Sequence, residues 1–134
     1  MPVRVFWDDE DPRLFRWEIH GRWTWDEFFQ AQARVDEMMQ SVDSLVDILF
    51  DMRGAEGLPP NMMSNIKRVM DAGGAHTAAI VIVGADDGTR YMFRTFAGVF
   101  RLLVARYRIF FADTLEEARR LIAAERARRT GDDA

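Results

Sequence analysis

The side chains best suited to chemistry stand at the ends of two apolar segments, Leu45–Arg53 and Ala78–Val83. Five charged residues lie at or just after these ends: Asp51, Arg53, Glu56, Asp86 and Asp87. Both segments have the length and composition of strands buried on both faces, and parallel strands bring their carboxyl ends to one edge of a sheet. Open α/β sheets tend to place binding sites at that edge. We therefore expect the five residues to form a loop that contacts a ligand or a partner.

Each of these residues also has a plainer structural role open to it. Asp51 can accept hydrogen bonds from the amides of its own loop, or it can pair with Arg53, whose planar guanidinium suits a carboxylate. Asp87 or Thr89 can cap the helix that follows. Asp86, Asp87 and Thr89 could also hold a divalent cation through oxygen ligands, but their spacing resembles no calcium or magnesium loop.

Catalysis has little support in the sequence. The chain has no cysteine, and neither of its two histidines, His20 and His76, has a partner at the spacing of a metal site or a catalytic triad. We expect no catalytic residue, no metal and no cofactor. An enzyme that uses Asp51 with Glu56 or Asp86 stays open as the weakest alternative.

A second candidate surface lies in the segment Arg90–Phe111. From Gly88 to Ala112 the chain has five arginines, several aromatic residues and no acidic residue. Arginine and aromatic side chains are enriched where proteins contact one another. We expect an interface that uses five residues: Tyr91, Phe93, Arg94, Arg101 and Tyr107. The alternative is that the aromatic residues belong to the core and the arginines pair with acids of neighbouring elements.

The composition is that of an ordinary globular domain. The chain has 134 residues and a net charge of −4, so it can bury one core and is too acidic on average for a general nucleic-acid binder. No segment reaches the roughly 20 apolar residues that a membrane span needs. We expect a single cytoplasmic domain over residues 1–127, followed by a charged, flexible tail over residues 128–134, with no nucleic-acid partner and no stable insertion into a membrane.

The order of the predicted elements indicates an α/β fold. We expect five strands: Val3–Trp7, Leu14–His20, Leu45–Arg53, Ala78–Val83 and Arg108–Phe111. The first two form a hairpin, and helices alternate with the later ones, which favours parallel pairing through right-handed crossovers. We expect about four helices: Thr24 to about Gln40, Asn61–Ala72 ended by Gly73-Gly74, Thr89 to about Arg106, and a closing helix after Thr114. Together they predict a single-domain mixed sheet of about five strands.

Capping boxes mark the starts of the first and last of these helices. In T-W-D-E, Thr24 and Glu27 stand three residues apart, the spacing at which each side chain can accept a hydrogen bond from the other's amide. Trp23, just before the cap, is placed to pack on Phe28 as a hydrophobic staple. A second box, T-L-E-E, begins at Thr114.

The order of elements and two stretches of sequence resemble the STAS-like family, the SpoIIAA-like fold of the bacterial anti-sigma-factor antagonists. The stretches are V-D-I-L-F-D-M-R-G at Val46–Gly54 and I-F-F-A-D-T-L-E-E-A-R at Ile109–Arg119. The resemblance implies a serine or threonine, two residues beyond a strand-terminal aspartate, that a partner kinase phosphorylates. Asp51 matches that aspartate, but Arg53 stands at the acceptor position, and a guanidinium cannot accept a phosphoryl group. The nearest downstream hydroxyl, that of Ser64, falls inside the second predicted helix.

The resemblance therefore implies a non-enzymatic regulatory or scaffold domain that acts through protein–protein interaction and is not switched at the usual loop position. We expect its partner to be another protein or a second copy of the chain, in a homo-oligomer that is first of all a dimer. The alternative function is binding of a small apolar or amphipathic ligand between helices and sheet. Arg53 would then hold the polar end of the ligand between four apolar walls: Trp25, Met62, Met92 and Phe93.

Overall fold

A mixed five-stranded sheet forms the centre of the molecule, which is described by a computed structural model over residues 2–72 and 76–133. The strands cross the sheet in chain order: β1 (Val3–Trp7), β2 (Leu14–Gly21), β3 (Val46–Ala55), β4 (Thr77–Val83) and β5 (Arg108–Ala112). β1 and β2 pair antiparallel as a hairpin, and all other neighbours are parallel. The helices are α1 (Trp25–Met39), α2 (Met62–Asp71), α3 (Asp87–Val99), α4 (Arg101–Val104) and α5 (Leu115–Asp133). The predicted fold class is confirmed.

Helices cover both faces of the sheet. On one face α1, α2 and α3 enclose a core that includes Phe15, Trp17 and Phe96. On the other face Ala118 and Ile122 of α5 pack over the sheet, mainly above β4 and β5. Consecutive parallel strands joined by right-handed crossovers carry their connecting helices on one face. α5, which follows the edge strand β5, covers the opposite face.

The starts of α1 and α5 carry the capping threonines that the sequence predicts. The Thr24 hydroxyl accepts a hydrogen bond from the Glu27 amide at 3.1 Å, and the Glu27 carboxylate accepts one from the Thr24 amide at 3.0 Å. The rings of Trp23 and Phe28 lie 6.0 Å apart, so the predicted capping box and staple are both confirmed. At α5, Thr114 accepts from the Glu117 amide as expected, but the Glu117 carboxylate accepts from the amide of the residue before the cap.

The predicted third helix is divided in the structure. Phe100, with φ −113° and ψ 53°, leaves helical geometry and separates α3 from α4, although its amide still donates to the carbonyl of Phe96. Val99, which the spacing of apolar residues places in the buried stripe of one continuous helix, is the last residue of α3 and is 62% exposed. β3 also runs two residues beyond the expected Arg53, so the predicted loop begins only after Ala55.

The last helix, α5, extends further toward the end of the chain than expected. α5 continues to Asp133, and the side chains of Arg126 and Arg129 both bind the carboxylate of Asp47 in β3. The flexibility of residues 128–134 stays a prediction, and Gly73-Gly74, the expected end of α2, lies outside the described residues. None of the helices in the described ranges is long and apolar enough to cross a membrane.

Candidate binding surfaces

Asp51 and Arg53 form a bidentate ion pair near the end of β3. Residues two apart in a strand point to the same face of the sheet, which brings the two side chains together. Arg53 Nε and Nη2 donate to the two Asp51 carboxylate oxygens at 2.9 and 2.8 Å, and the Arg53 amide donates to the same carboxylate at 3.1 Å. Asp51 is buried, whereas about half of the Arg53 side chain is exposed. The arginine is therefore held by its neighbour and still reaches solvent.

The surroundings keep this ion pair charged. Burial alone would raise the pKa of Asp51, but hydrogen bonds from Arg53 and the positive charge of Arg16, 3.8 Å away, hold that pKa below its ordinary value. Gly84, at the end of β4, packs directly against Arg53. With φ at +74°, an added Cβ at Gly84 would lie 2.4 Å from Arg53 Cγ, so this close approach requires glycine.

Glu56, Asp86 and Asp87 do not join the ion pair. Asp86, rather than the expected Asp87 or Thr89, caps α3: its carboxylate accepts from the Thr89 amide at 2.7 Å, which lowers the pKa of Asp86. Asp87 lies exposed in the first turn of α3, and Glu56 is exposed after β3. Within the part of the chain that the structure describes, no group of acids and histidines could hold a metal ion. The combined ligand or partner loop stays a prediction.

The structure divides the predicted interface residues between surface and core. Three are exposed on α3 and α4: Tyr91, Arg94 and Arg101. Phe93 is half-buried and packs edge-on against Phe111, with ring centroids 5.8 Å apart. The hydroxyl of Tyr107, also half-buried, donates to the carbonyl oxygen of Met70 at 2.5 Å. Their role in an interface stays a prediction, but only the first three residues are fully on the surface.

Two exposed apolar residues that the sequence pattern did not reveal lie next to Arg101. Leu102 is 89% exposed and Val99 is 62% exposed, on either side of the helix break. Both border a shallow groove of about 450 Å³ between this corner and α2. We name it the corner groove and define it by its lining residues: Lys67, Asp71, Gly98, Val99, Phe100, Arg101, Leu102 and Leu103.

A network of buried ion pairs ties α5 to the sheet and was not predicted. Asp47, which is 1% exposed, accepts hydrogen bonds from Arg126 Nε at 2.7 Å and Arg129 Nη1 at 3.1 Å. Asp8 accepts two hydrogen bonds from Arg119, at 2.9 and 3.1 Å. Burial would raise the pKa of Asp8, but these hydrogen bonds bring it below its ordinary value. The network holds α5 against the sheet. The sequence gives one indication of it, an aspartate, Asp47, within an otherwise apolar strand.

Comparison with known proteins agrees with this geometry. The model of the SpoIIAA-like family matches residues 14–123, from β2 into α5. The chain belongs to the SpoIIAA-like family. The crystal structure of an uncharacterised protein with a SpoIIAA-like fold from Shewanella loihica PV-4 is similar, with a TM-score of 0.61. The identity is 12% over 87% of this chain and 88% of that one, so the likeness concerns the fold alone. No curated protein matches the chain.

In this SpoIIAA-like domain, a positively charged side chain stands at the position where the resemblance implied a serine or threonine that is phosphorylated. Arg53 occupies it and is fixed by both oxygens of Asp51. Ser64 lies in the first turn of α2, where its hydroxyl donates to the carbonyl oxygen of Asn61 at 3.2 Å. SpoIIAA-like domains are typically regulatory and generally not enzymes.

Proposed function

We propose that this chain is a regulatory or scaffold domain that binds another protein at the corner groove and is not switched by phosphorylation at Arg53. The observation that carries the proposal is the exposure of Val99 and Leu102 beside arginines that have no ion-pair partner in the described part of the chain. Membership of the SpoIIAA-like family supports a regulatory role, and the groove adds a place for the partner.

The apolar part of the groove supplies the binding energy. Single exposed apolar residues are common on protein surfaces, but Val99 and Leu102 border the same concavity. Covering one such side chain completely contributes about 1.5–3 kcal/mol. A partner that inserts an apolar side chain between Val99 and Leu102 would bury both, so they are candidate anchors of the interface.

The charge of the surrounding surface selects the partner. Arg94, Arg101 and Arg106 are exposed and form no ion pair within the described residues. The other two arginines of the segment, Arg90 and Arg108, each bind a carboxylate at 2.8 Å. Of these three uncompensated positive charges, that of Arg101 lies in the wall of the groove, in a chain whose net charge is −4. A partner segment that carries aspartate or glutamate beside an apolar residue is complementary to this surface.

A second copy of the chain fits the same surface less well. A twofold contact places the same patch of each copy face to face. Arg94 and Arg101 of one copy would then approach the same arginines of the other, and like charges oppose association. We therefore assign the groove to an acidic partner protein and treat the homodimer as an outcome of the test.

The test is a phage-display selection of random peptides on the purified domain. We expect an enriched consensus with an aliphatic or aromatic residue flanked by Asp or Glu. Leu102→Ser should weaken binding of the consensus peptide at least roughly tenfold, the order expected for one buried leucine. Leu45→Ser is the matched control, because Leu45 is 49% exposed and lies outside the groove, and it should leave the affinity unchanged.

Two results would contradict the proposal. A selection that yields no consensus, or one whose affinity does not depend on Leu102, would remove the groove as a docking site. Light scattering should show a monomer for wild type and for Leu102→Ser. A wild-type dimer that Leu102→Ser dissociates would instead identify a second copy as the occupant and overturn the assignment to an acidic partner.

A further inference from the structure

A second groove lies at the carboxyl ends of β2 and β3, away from the proposed docking surface. It has a volume of about 490 Å³ and lies between residues 22–25, which lead into α1, and residues 56–61, which lead into α2. We name it the strand-end groove. Open α/β sheets tend to place ligand sites at the carboxyl ends of their parallel strands. The strand-end groove shares no lining residue with the corner groove, so a ligand here is independent of the proposed protein partner.

The two walls of the strand-end groove are fixed to each other by hydrogen bonds. Trp23 Nε1 donates to the carbonyl oxygen of Gly57 at 2.9 Å, and Trp25 Nε1 donates to that of Pro60 at 2.8 Å. Both bonds join the start of α1 to the loop before α2. The groove is therefore formed before a ligand arrives, and binding does not have to order the loop.

Two opposite charges line this groove without pairing. Gly21 and Ala55 are neighbours in the register of β2 and β3, and the Glu56 amide donates to the carbonyl oxygen of Gly21 at 2.9 Å. Arg22 and Glu56 directly follow these neighbours, so their backbones lie side by side at about 5 Å, the spacing of adjacent strands. Both residues are exposed, and within the described residues neither side chain forms an ion pair or a hydrogen bond. No other lining residue is charged.

This pair of charges favours a ligand that carries both signs. A ligand with only a negative charge would be attracted by Arg22 and repelled by Glu56, and a ligand with only a positive charge would meet the reverse. A guanidinium binds a carboxylate through two parallel hydrogen bonds, and a carboxylate accepts hydrogen bonds from an ammonium group. The end of a peptide offers only one of these charges, whereas a free α-amino acid carries both on one carbon.

We propose that the strand-end groove binds a free α-amino acid with an aliphatic side chain. Its carboxylate accepts hydrogen bonds from the Arg22 guanidinium, and its ammonium group donates to the Glu56 carboxylate. Its side chain packs on Leu58 and Pro59, which are half-buried and line the groove. Exposed ion pairs contribute little in water, so the dissociation constant is expected in the millimolar range.

This site differs from the ligand sites that the sequence suggested. Of the five charged residues predicted in one loop, only Glu56 lines the strand-end groove, and Arg22 takes the role expected of Arg53. Of the four apolar walls expected between helices and sheet, only Trp25 lines this groove. Trp25 also lines an inner cavity of about 80 Å³ together with Phe93, whereas the other two expected walls line neither space. An apolar ligand between helices and sheet stays a prediction.

The test is a titration of L-leucine into ¹⁵N-labelled protein, followed by NMR of the indole N–H signals of the four tryptophans. We expect saturable shifts for Trp23 and Trp25, which line the groove, and little change for Trp7 and Trp17, which do not. N-acetyl-leucine lacks the ammonium group and leucinamide lacks the carboxylate. Each should bind wild type roughly tenfold more weakly than leucine, the order expected for one hydrogen-bonded charge.

Two neutral variants assign each charge to its partner. Glu56→Gln should weaken leucine binding roughly tenfold and abolish the preference for leucine over N-acetyl-leucine. Arg22→Gln should likewise abolish the preference for leucine over leucinamide. Glu37→Gln is the matched control, because Glu37 is exposed and lies outside the groove, and it should leave all three affinities unchanged. All three substituted residues are exposed, so the variants are expected to fold.

Three results would overturn this proposal. One is the absence of any saturable shift of the Trp23 and Trp25 signals at millimolar leucine, and another is equal affinity of wild type for leucine and N-acetyl-leucine. The third is binding of phosphoethanolamine as tight as that of leucine, which would assign the groove to another class of zwitterion. Binding of the acidic consensus peptide should be unchanged in Glu56→Gln, so failure at the strand-end groove is distinguishable from failure at the corner groove.

Discussion

Substitution of Asp47 by asparagine is expected to lower the free energy of unfolding by about 3 kcal/mol. The Asp47 carboxylate accepts hydrogen bonds from the Ala79 amide at 3.1 Å, from Arg126 Nε at 2.7 Å, and from Arg129 Nη1 and Nη2 at 3.1 and 3.2 Å. Asparagine keeps the shape of the side chain, but it removes the negative charge. It also places an NH₂ group where two guanidinium groups need an acceptor.

The magnitude follows from what is lost and what is regained. A hydrogen bond to a charged group contributes about 1.5–3 kcal/mol, and contacts to two arginines are disrupted. Part of this is recovered, because the side chains of Arg126 and Arg129 are 20% and 24% exposed and Arg126 keeps its bond to Asp11. For a chain of this length, 3 kcal/mol corresponds to a Tm lower by roughly 10 °C.

Urea unfolding followed by tryptophan fluorescence measures the effect, with an unchanged m-value as evidence that the same transition is observed. Asp43→Asn is the matched control, because Asp43 is exposed and its side chain makes no hydrogen bond or ion pair within the described residues. It should change the free energy by less than about 0.5 kcal/mol. If Asp47→Asn and Asp43→Asn unfold at the same urea concentration, the arginines of α5 contribute no net stability and the reasoning is refuted.

Three further predictions concern pH, a turn and a helix cap. Burial raises the pKa values of Asp8 and Asp51, but hydrogen bonds from arginines outweigh it and hold both pKa values below the ordinary value of an aspartate. The contribution of these two carboxylates to stability is therefore complete above the unfolded pKa of about 4 and is lost as pH falls below it. Urea midpoints should therefore drop below about pH 4, less steeply in Asp8→Asn. Gly84→Ala should destabilise the domain by about 1–3 kcal/mol in urea unfolding, because of its positive φ and the contact with Arg53. Thr24→Ala should cost about 1 kcal/mol in the same assay, because it removes the acceptor for the amide in the first turn of α1.

Each of these predictions has a contradicting result. The first is contradicted by an acid profile that is identical in wild type and Asp8→Asn. The second is contradicted if Gly84→Ala is no less stable than Gly88→Ala, where the added Cβ meets only Asp86 Oδ1, at an ordinary 3.5 Å. The third is contradicted by a Thr24→Ala variant as stable as Thr24→Ser, which retains a hydroxyl at the cap.

Features set by residues close in sequence could be predicted. Thr24 and Glu27 stand three residues apart, and this spacing alone places each side chain at the other's amide. Asp51 and Arg53 lie two apart in a strand, so their pairing follows from strand geometry. The alternation of strands and helices likewise limited the sheet to parallel crossovers after the hairpin.

Features set by distant residues could not be predicted. Asp47 and Arg126 are 79 positions apart, and their contact exists only once α5 lies across the sheet. The break at Phe100 falls within a helical spacing of apolar residues that continues on both sides of it. That spacing predicted one helix and placed Val99 in its buried stripe, whereas Val99 is exposed. The corner groove depends on this break and was therefore invisible in the sequence.

A double-mutant cycle between Arg101 and the acidic residue of the consensus peptide tests the docking claim most directly. Fluorescence anisotropy gives four dissociation constants, for wild type and Arg101→Glu, each with the original peptide and with a peptide whose acid is replaced by lysine. We predict that either change alone weakens binding and that the two together restore much of it, with a coupling energy of about 0.5–3 kcal/mol. If the losses of binding free energy caused by the two changes are additive, Arg101 does not contact an acidic residue of the partner at the corner groove.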